Sequence, residues 1–498
     1  MDTFTASVKQ QEVQLDGADK VCAATYISYY YWYRNVDKQA QDTFMSAGTM
    51  EKAFYVALCD FPLFAGNLIS DCDGQMFVRV ETDDLNMPVY SDTACDVDFD
   101  TVKDSGFDTK LLGNKFIHAR HIPVPYSHIG GRIKSLEAHI VRLKDFSGVC
   151  LLVSIAHFIV DGYGHSLFVR RWAEATQWLM ASNTESGSIL CERQYIHDRS
   201  FLSQFWDSGT DRLDDLACKI MTRSSAVSRW AAWLSPETRG RLLKFQTLHE
   251  KRVNSYFRIP KKDIEALRAV IQENSVDGMR FSNNDVLTTI VTRVLVQSKQ
   301  AADNDRQERW IPSALRSLFG KKEEPMEAVL ALAVNLRPRT NRQDVYAYTG
   351  TMALTICTSV PLRLIETDPE PKTLAGIAAN IRETVSRADA KCIGQHLNLL
   401  NRESDGYLRK LAGLPGCKYV VVVSNLAGFD HYDVDFGTGI PTLVRPALLS
   451  FTNSIHIMPC RQGDDAYEIA MTLTADIANK VIQNTFWMGL VDGHSHDV

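Results

Sequence analysis

The sequence predicts a mixed chain, α/β or α+β, in two large domains, and three observations carry that expectation. Strand-like and helix-like segments alternate from end to end, without repeats or low-complexity tracts. The 498 residues exceed what a single core usually organises. Between about Ala181 and Lys251 the apolar pattern loosens, beginning at Asn183-Thr184-Glu185-Ser186-Gly187-Ser188. That stretch is the candidate linker. The expected division is an N-terminal domain over 1–185, a crossover over 186–250 and a C-terminal domain over 251–498.

The first clear helix runs from about Thr49 to Cys59, and Asp60-Phe61-Pro62 stops it, because proline disfavours helix in the residue before it. Leu63 to Ser70 and Gln75 to Val80 read as two strands joined at Asp71-Cys72-Asp73-Gly74, where Asp-Gly can supply a positive φ. The apolar run Val149 to Ala156, rich in β-branched residues, reads as a buried strand. A helix follows with Phe168, Trp172, Ala175 and Leu179 on one face. The second half opens with a strand over Val253 to Ile259. A helix near Lys262 to Gln272 then presents Ile264, Leu267, Val270 and Ile271 inward. Ser282-Asn283-Asn284-Asp285 offers an N-cap to an apolar helix through Leu295. A helix around Leu374 to Arg387 precedes a strand at Lys418 to Val423. Strands at Ser454 to Met458 and Tyr467 to Leu473 and a helix from about Ala475 close the chain.

Composition narrows the function classes. With 45% hydrophobic and 23% charged residues the chain is ordinary soluble globular material. A net charge of -6 argues against nucleic acid as the main partner, since phosphate binding needs a basic surface. The eleven cysteines form no Cys-x-x-Cys pair, so they read as buried thiols in a reducing compartment, not as a zinc or redox site. No signal peptide, apolar span or C-terminal address is apparent, and a cytoplasmic location is the default expectation.

Two motifs could carry chemistry. His157-Phe158-Ile159-Val160-Asp161-Gly162 sits just past the buried strand. Most of the thirteen histidines should be surface or satisfied core groups, but His157 is placed to face a junction. Imidazole titrates near neutrality and can accept and return a proton in one cycle, so His157 is the candidate general base. Asp161 could orient the ring or fix the loop, while Gly162 and Gly164 make a bend. The second motif is Asp433-Val434-Asp435-Phe436-Gly437-Thr438-Gly439-Ile440-Pro441, a rigid loop. Its Asp-Phe-Gly is not that of a protein kinase, because the glycine-rich loop and His-Arg-Asp run are missing. Gly-x-Ser-x-Gly, Walker and His-Glu-x-x-His patterns are absent as well. The tandem His494 and His496 reads as a frayed terminus.

In this order and at this distance the two motifs resemble the BAHD acyltransferases, acyl-CoA-dependent enzymes of the chloramphenicol acetyltransferase-like superfamily, which carry His-x-x-x-Asp(-Gly) and Asp-Phe-Gly-Trp-Gly. Further segments are similar in register: Asp60-Phe61-Pro62-Leu63-Phe64-Ala65-Gly66-Asn67-Leu68, Asp73-Gly74, Val334-Asn335-Leu336-Arg337, Ser424-Asn425-Leu426, and the tail from Ala466 to Ala475.

The resemblance implies two chloramphenicol acetyltransferase-like domains, each a mixed, mostly antiparallel sheet with flanking helices, and a channel between them. It implies that His157 deprotonates an acceptor hydroxyl, or less readily an amine, for attack on an acyl-CoA thioester, with no covalent acyl-enzyme. Asp161 would pair with Arg337, and Asp435, Phe436, Gly437 and Gly439 would shape the channel from a distance. No permanently bound cofactor, metal, nucleic acid or membrane is implied; the partners are acyl-CoA as co-substrate and a small, secondary-metabolite acceptor, acted on by a monomer. Two departures mark a divergent member, with a fungal origin open. Thr438 stands where the family has Trp, and Leu426 stands where a Trp often helps hold the oxyanion. Leucine has no donor, which leaves Ser424 or Asn425 as oxyanion candidates. Two rivals stay open: a condensation-type domain using a carrier-bound donor, against which Ala156 replaces the first of that family's paired histidines, and an inactive binding relative.

Overall fold

The computed structural model describes residues 2–22, 25–38, 43–71, 75–113, 132–182, 193–211, 252–275, 278–310, 326–411, 419–447, 452–461 and 463–497. The expected turn at Asp73-Gly74, the loop from 183 and most of the crossover lie outside these residues. Two large sheets organise the rest. The five-stranded sheet has the order Leu443–Pro446, Tyr26–Arg34, Gly148–Ala156, Leu136–Arg142, Val89–Ala94. Only its last ladder is parallel. The seven-stranded sheet runs Ala353–Pro361, Glu327–Asn335, Val420–Asn425, Ser454–Met458, Ala466–Thr474, Arg252–Pro260, Gly493–Asp497. Val420–Asn425 is parallel to both its neighbours and the other ladders are antiparallel. A third, small sheet joins Gln11–Gln14, Met76–Val80 and Asn67–Ser70.

Side-chain alternation assigns each face of the seven-stranded sheet. Leu330, Leu332, Val421, Val423, Ile455, Ile457, Ile469 and Met471 belong to the C-terminal core, beneath helices Asn283–Trp310 and Pro371–Arg387. The opposite parity turns toward the other domain: Leu426, Met458, Ala470 and Tyr256 belong to the N-terminal core. Two hydrophobic cores therefore share one sheet as their wall.

In the N-terminal domain, Ala47–Cys59 packs on Gly162–Ser182. Phe54 meets Phe168 and Trp172 edge-on, and the Trp172 indole donates to the Met50 carbonyl at 2.9 Å. That bond satisfies a buried N–H that would otherwise be costly. The division by chain position is crossed at Leu443–Pro446, which pairs with Tyr26–Arg34 in the N-terminal sheet. Arg445 on that strand bonds Glu468 across the domain junction at 2.9 Å and stacks on Tyr256.

Three local expectations need correction. Pro62–Ala65 is a 3₁₀ turn and the strand begins only at Asn67, because proline fixes φ and offers no donor to a ladder. Val270 is solvent-exposed, since only Ile264 and Ile271 of its helix reach the core fully. His494 and His496 lie in an ordered edge strand on Arg252–Pro260, where His496 Nδ1 is 2.9 Å from the Ser255 hydroxyl. Among the described residues no helix is long and apolar enough to cross a membrane.

Candidate active site

Gly148–Ala156 ends against the start of Tyr26–Arg34, and its continuation forms one wall of the site. The His157 N–H donates to the Thr25 carbonyl at 2.9 Å, so the backbone leaves the sheet at a fixed point. Phe158, Ile159 and Val160 are buried and anchor the loop, while His157 is only half-buried. Its side chain lines a cavity of about 150 Å³ between the sheets. Thr25, Tyr26, Ser28 and Tyr29 border this space from the N-terminal side. Ala333, Asn335, Ser424, Asn425, Leu426 and His456 border it from the C-terminal side.

Asp161 touches the same cavity, but its carboxylate is engaged elsewhere. Oδ2 lies 2.6 Å from Arg337 Nη1 and accepts from the Met352 N–H at 2.9 Å, while Oδ1 accepts from the Gly164 N–H at 2.9 Å. Arg337, fully buried, also donates to the carbonyls of Tyr348 and Gly350 and lies over the Tyr163 ring. Both carboxylate oxygens of Asp161 and both terminal nitrogens of Arg337 are engaged, which offsets the burial of the two charges. Asp161 therefore holds the loop to the other domain.

A second arginine does similar work and was not apparent in the sequence. Arg199 Nη2 donates to the Ile159 carbonyl at 2.6 Å, inside the motif loop, and Nε bonds the buried Asp19 at 2.8 Å. Asp19 in turn accepts from the Thr351 N–H. Arg199 lies where the periodic pattern has loosened, and its partner is 180 residues away, so no local signal could reveal it. Gly162 is fixed by close approach: a Cβ there would stand 2.9 Å from the Phe429 ring.

The Asp435 loop lies off the cavity, against Gln177 and Met180 near the C-terminal end of helix Gly162–Ser182. Asp435 Oδ1 accepts from the backbone N–H groups of Gly437, Thr438 and Gly439 at 2.7, 3.1 and 2.9 Å. Gly437 and Gly439 have φ of +89° and +105°, a region that favours glycine. Phe436 is fully buried, edge-on to Tyr33 and Trp172. Thr438 takes part through its backbone.

On the opposite wall Asn425 donates to the Asn284 side chain and accepts from the Ala427 N–H, so its amide serves the strand end. Ser424 pairs in register with Ala333 on one side and His456 on the other. Leu426 is buried and apolar. Burial pushes the His456 imidazole down to about 4, so it is neutral at pH 7. Its place in the site could be read only once Ser454–Met458 was aligned beside Ser424. Behind Tyr29 sit two more buried histidines, His165 and His431, pushed by burial to about 4 and about 3.

A larger cleft of about 780 Å³ lies on another face, lined by Tyr163, Arg170, Arg171, Glu174, Arg193 and Tyr195. Its arginines are already paired, with Asp430, Asp60 and Glu174. It contains none of the candidate site residues (Tyr163 is merely the neighbour of Gly162), whereas the smaller cavity is bordered by His157, Ser424 and Asn425.

Comparison with known proteins places the chain in a family. The chain is 22% identical over 456 residues to hydroxycinnamoyl-CoA:5-hydroxyanthranilate N-hydroxycinnamoyltransferase of Avena sativa, covering 91% of this chain and 90% of that protein. It is 24% identical over 385 residues to the O-acetyltransferase pyr7 of Aspergillus fumigatus, covering 72% and 67%. The fold is that of Fusarium graminearum TRI101, solved with ethyl coenzyme A: the TM-score is 0.69 at 14% identity, over 98% of this chain and 100% of that one. The model of the Transferase family matches residues 5–199 and 247–485, and with nearly the whole length accounted for, the chain belongs to that family, the BAHD acyltransferases.

Proposed function

We propose that this protein moves an acyl group from acyl-CoA to a small-molecule hydroxyl, with His157 as general base. The observation that carries the reading is the different disposition of two motif residues. His157 faces the interdomain cavity, whereas Asp161 is consumed by Arg337 and two backbone donors. In this account His157 takes the proton from the acceptor O–H as the oxygen attacks the thioester carbon. The tetrahedral oxyanion then collapses, the C–S bond breaks, and the CoA thiolate takes that proton from His157. Acceptor and acyl-CoA become ester and free CoA. Base catalysis contributes roughly 10²–10⁴-fold, and holding both substrates in one narrow junction contributes much of the rest.

The names of the relatives support a CoA donor, and TRI101 was solved with a CoA derivative. One relative is named an N-acyltransferase and another an O-acetyltransferase; neither decides the acceptor. Acyl-CoAs screened against pooled alcohols and amines by mass spectrometry test the reading. It expects products heavier by the acyl group, free CoA in equal amount, and alcohols ahead of amines. Product formed only from a carrier-protein thioester would contradict it.

A further inference from the structure

The reaction leaves a negative oxygen opposite the base, and Leu426 cannot donate to it. We propose that His456 donates a hydrogen bond to the thioester carbonyl oxygen as the tetrahedral intermediate forms. The inference rests on the acyl-transfer reading of the same cavity, and the sheet geometry supports it. Ser424, His456 and Ala470 are consecutive partners across three strands, so their side chains leave the same face of the sheet. Ala333 adjoins Ser424 on the other flank. Ala333, small enough to leave space beside Ser424, lines the cavity together with Ser424 and His456. His157 borders it from the N-terminal sheet and His456 from the C-terminal sheet. A base on one wall and a donor on the other is the arrangement a tetrahedral intermediate requires.

The chemistry of the side chain agrees. Neither ring nitrogen of His456 bonds another described residue, in contrast to Asn425, whose amide is committed to Asn284 and Ala427. A neutral imidazole retains one N–H donor, and burial keeps this one neutral. An imidazolium opposite His157 would instead oppose the positive charge that His157 acquires. A neutral donor in a dry site stabilises the oxyanion without that penalty.

The test compares His456→Leu, which keeps the bulk and loses the donor, with His456→Gln, which keeps an N–H. In His456→Leu, kcat should fall about 10²–10³-fold, the loss typical of a missing oxyanion donor. KM for acyl-CoA should stay within about threefold, because the bond matters mainly in the transition state. His456→Gln should recover at least about tenfold of that loss. Slow hydrolysis of acyl-CoA without acceptor should fall in parallel with transfer, which separates a carbonyl donor from an acceptor-binding group. An activity-independent arm uses infrared spectra of ¹³C-carbonyl acyl-CoA bound to His157→Ala and to His157→Ala/His456→Leu. The bound carbonyl stretch should lie lower in the first than in the second. Equal frequencies, or a kcat changed less than threefold in His456→Leu, would overturn the role of His456. Wild-type protein that binds acyl-CoA but never releases CoA would overturn the acyl-transfer reading instead, and the infrared arm would still decide His456.

Discussion

Asp161 stands four residues after His157, a spacing that invites a catalytic pair, and the resemblance assigns it a structural part with Arg337. In the structure its three acceptor contacts run to Arg337, Met352 and Gly164. Asp161→Ala should leave the Arg337 guanidinium buried with carbonyl partners but no counter-charge. The expected cost is about 3–5 kcal/mol, read as a lower urea midpoint. An unchanged midpoint with lost activity would instead make Asp161 a chemical participant. Single residues were unequally legible. His157 could be picked out because strand, histidine and Asp-Gly bend follow one another in the chain. Arg199 and His456 could not, because each gains its role from partners brought in by folding across more than thirty residues of chain or from a neighbouring strand.

At the scale of elements, the Asp435 loop is a folded unit built on one acceptor. Asp435 gathers three N–H groups, the two glycines supply left-handed backbone, and Phe436 plugs the core against Trp172. Gly437→Ala should cost about 1–2 kcal/mol from the strained φ. A further contribution comes from a Cβ placed 2.8 Å from Met180 Sδ, though that flexible side chain can yield. Denaturant titration measures it; a loss well below 0.5 kcal/mol would mean the loop relaxes freely. Elements with a strong local period were readable: Gly148–Ala156, Gly162–Ser182 and Ser454–Met458 lie where their patterns put them. Leu63 to Ala65 and Val270 are apolar without being where apolarity suggests, and the strand at His494 exists only because Arg252–Pro260 offers an open edge.

At the scale of the molecule, four buried or half-buried histidines are held neutral. Burial holds His165, His197 and His456 near 4 and His431 near 3. An unfolded histidine takes its proton near the ordinary 6.5. Between about pH 6.5 and 4 the unfolded chain therefore binds more protons at these sites, and stability present above that window is lost as pH falls. Each fully differing site contributes up to about 1.4 kcal/mol per pH unit. Asp16 acts in the other sense: burial raises its carboxyl pKa, so its contribution is lost as pH rises and offsets about one histidine at acid pH. Melting temperature should fall steeply from pH 7 to pH 5, more steeply than in a His165→Phe variant. A flat profile would contradict the buried neutral histidines.

In the proposed reaction one histidine at the junction, His157, drives transfer between two bound substrates. It is tested most directly by CoA thiol release from acyl-CoA plus acceptor, comparing wild type with His157→Ala at matched folding. Release should be slower by about 10²-fold or more in the variant, with an unaltered melting curve. Equal release from the two proteins would contradict it.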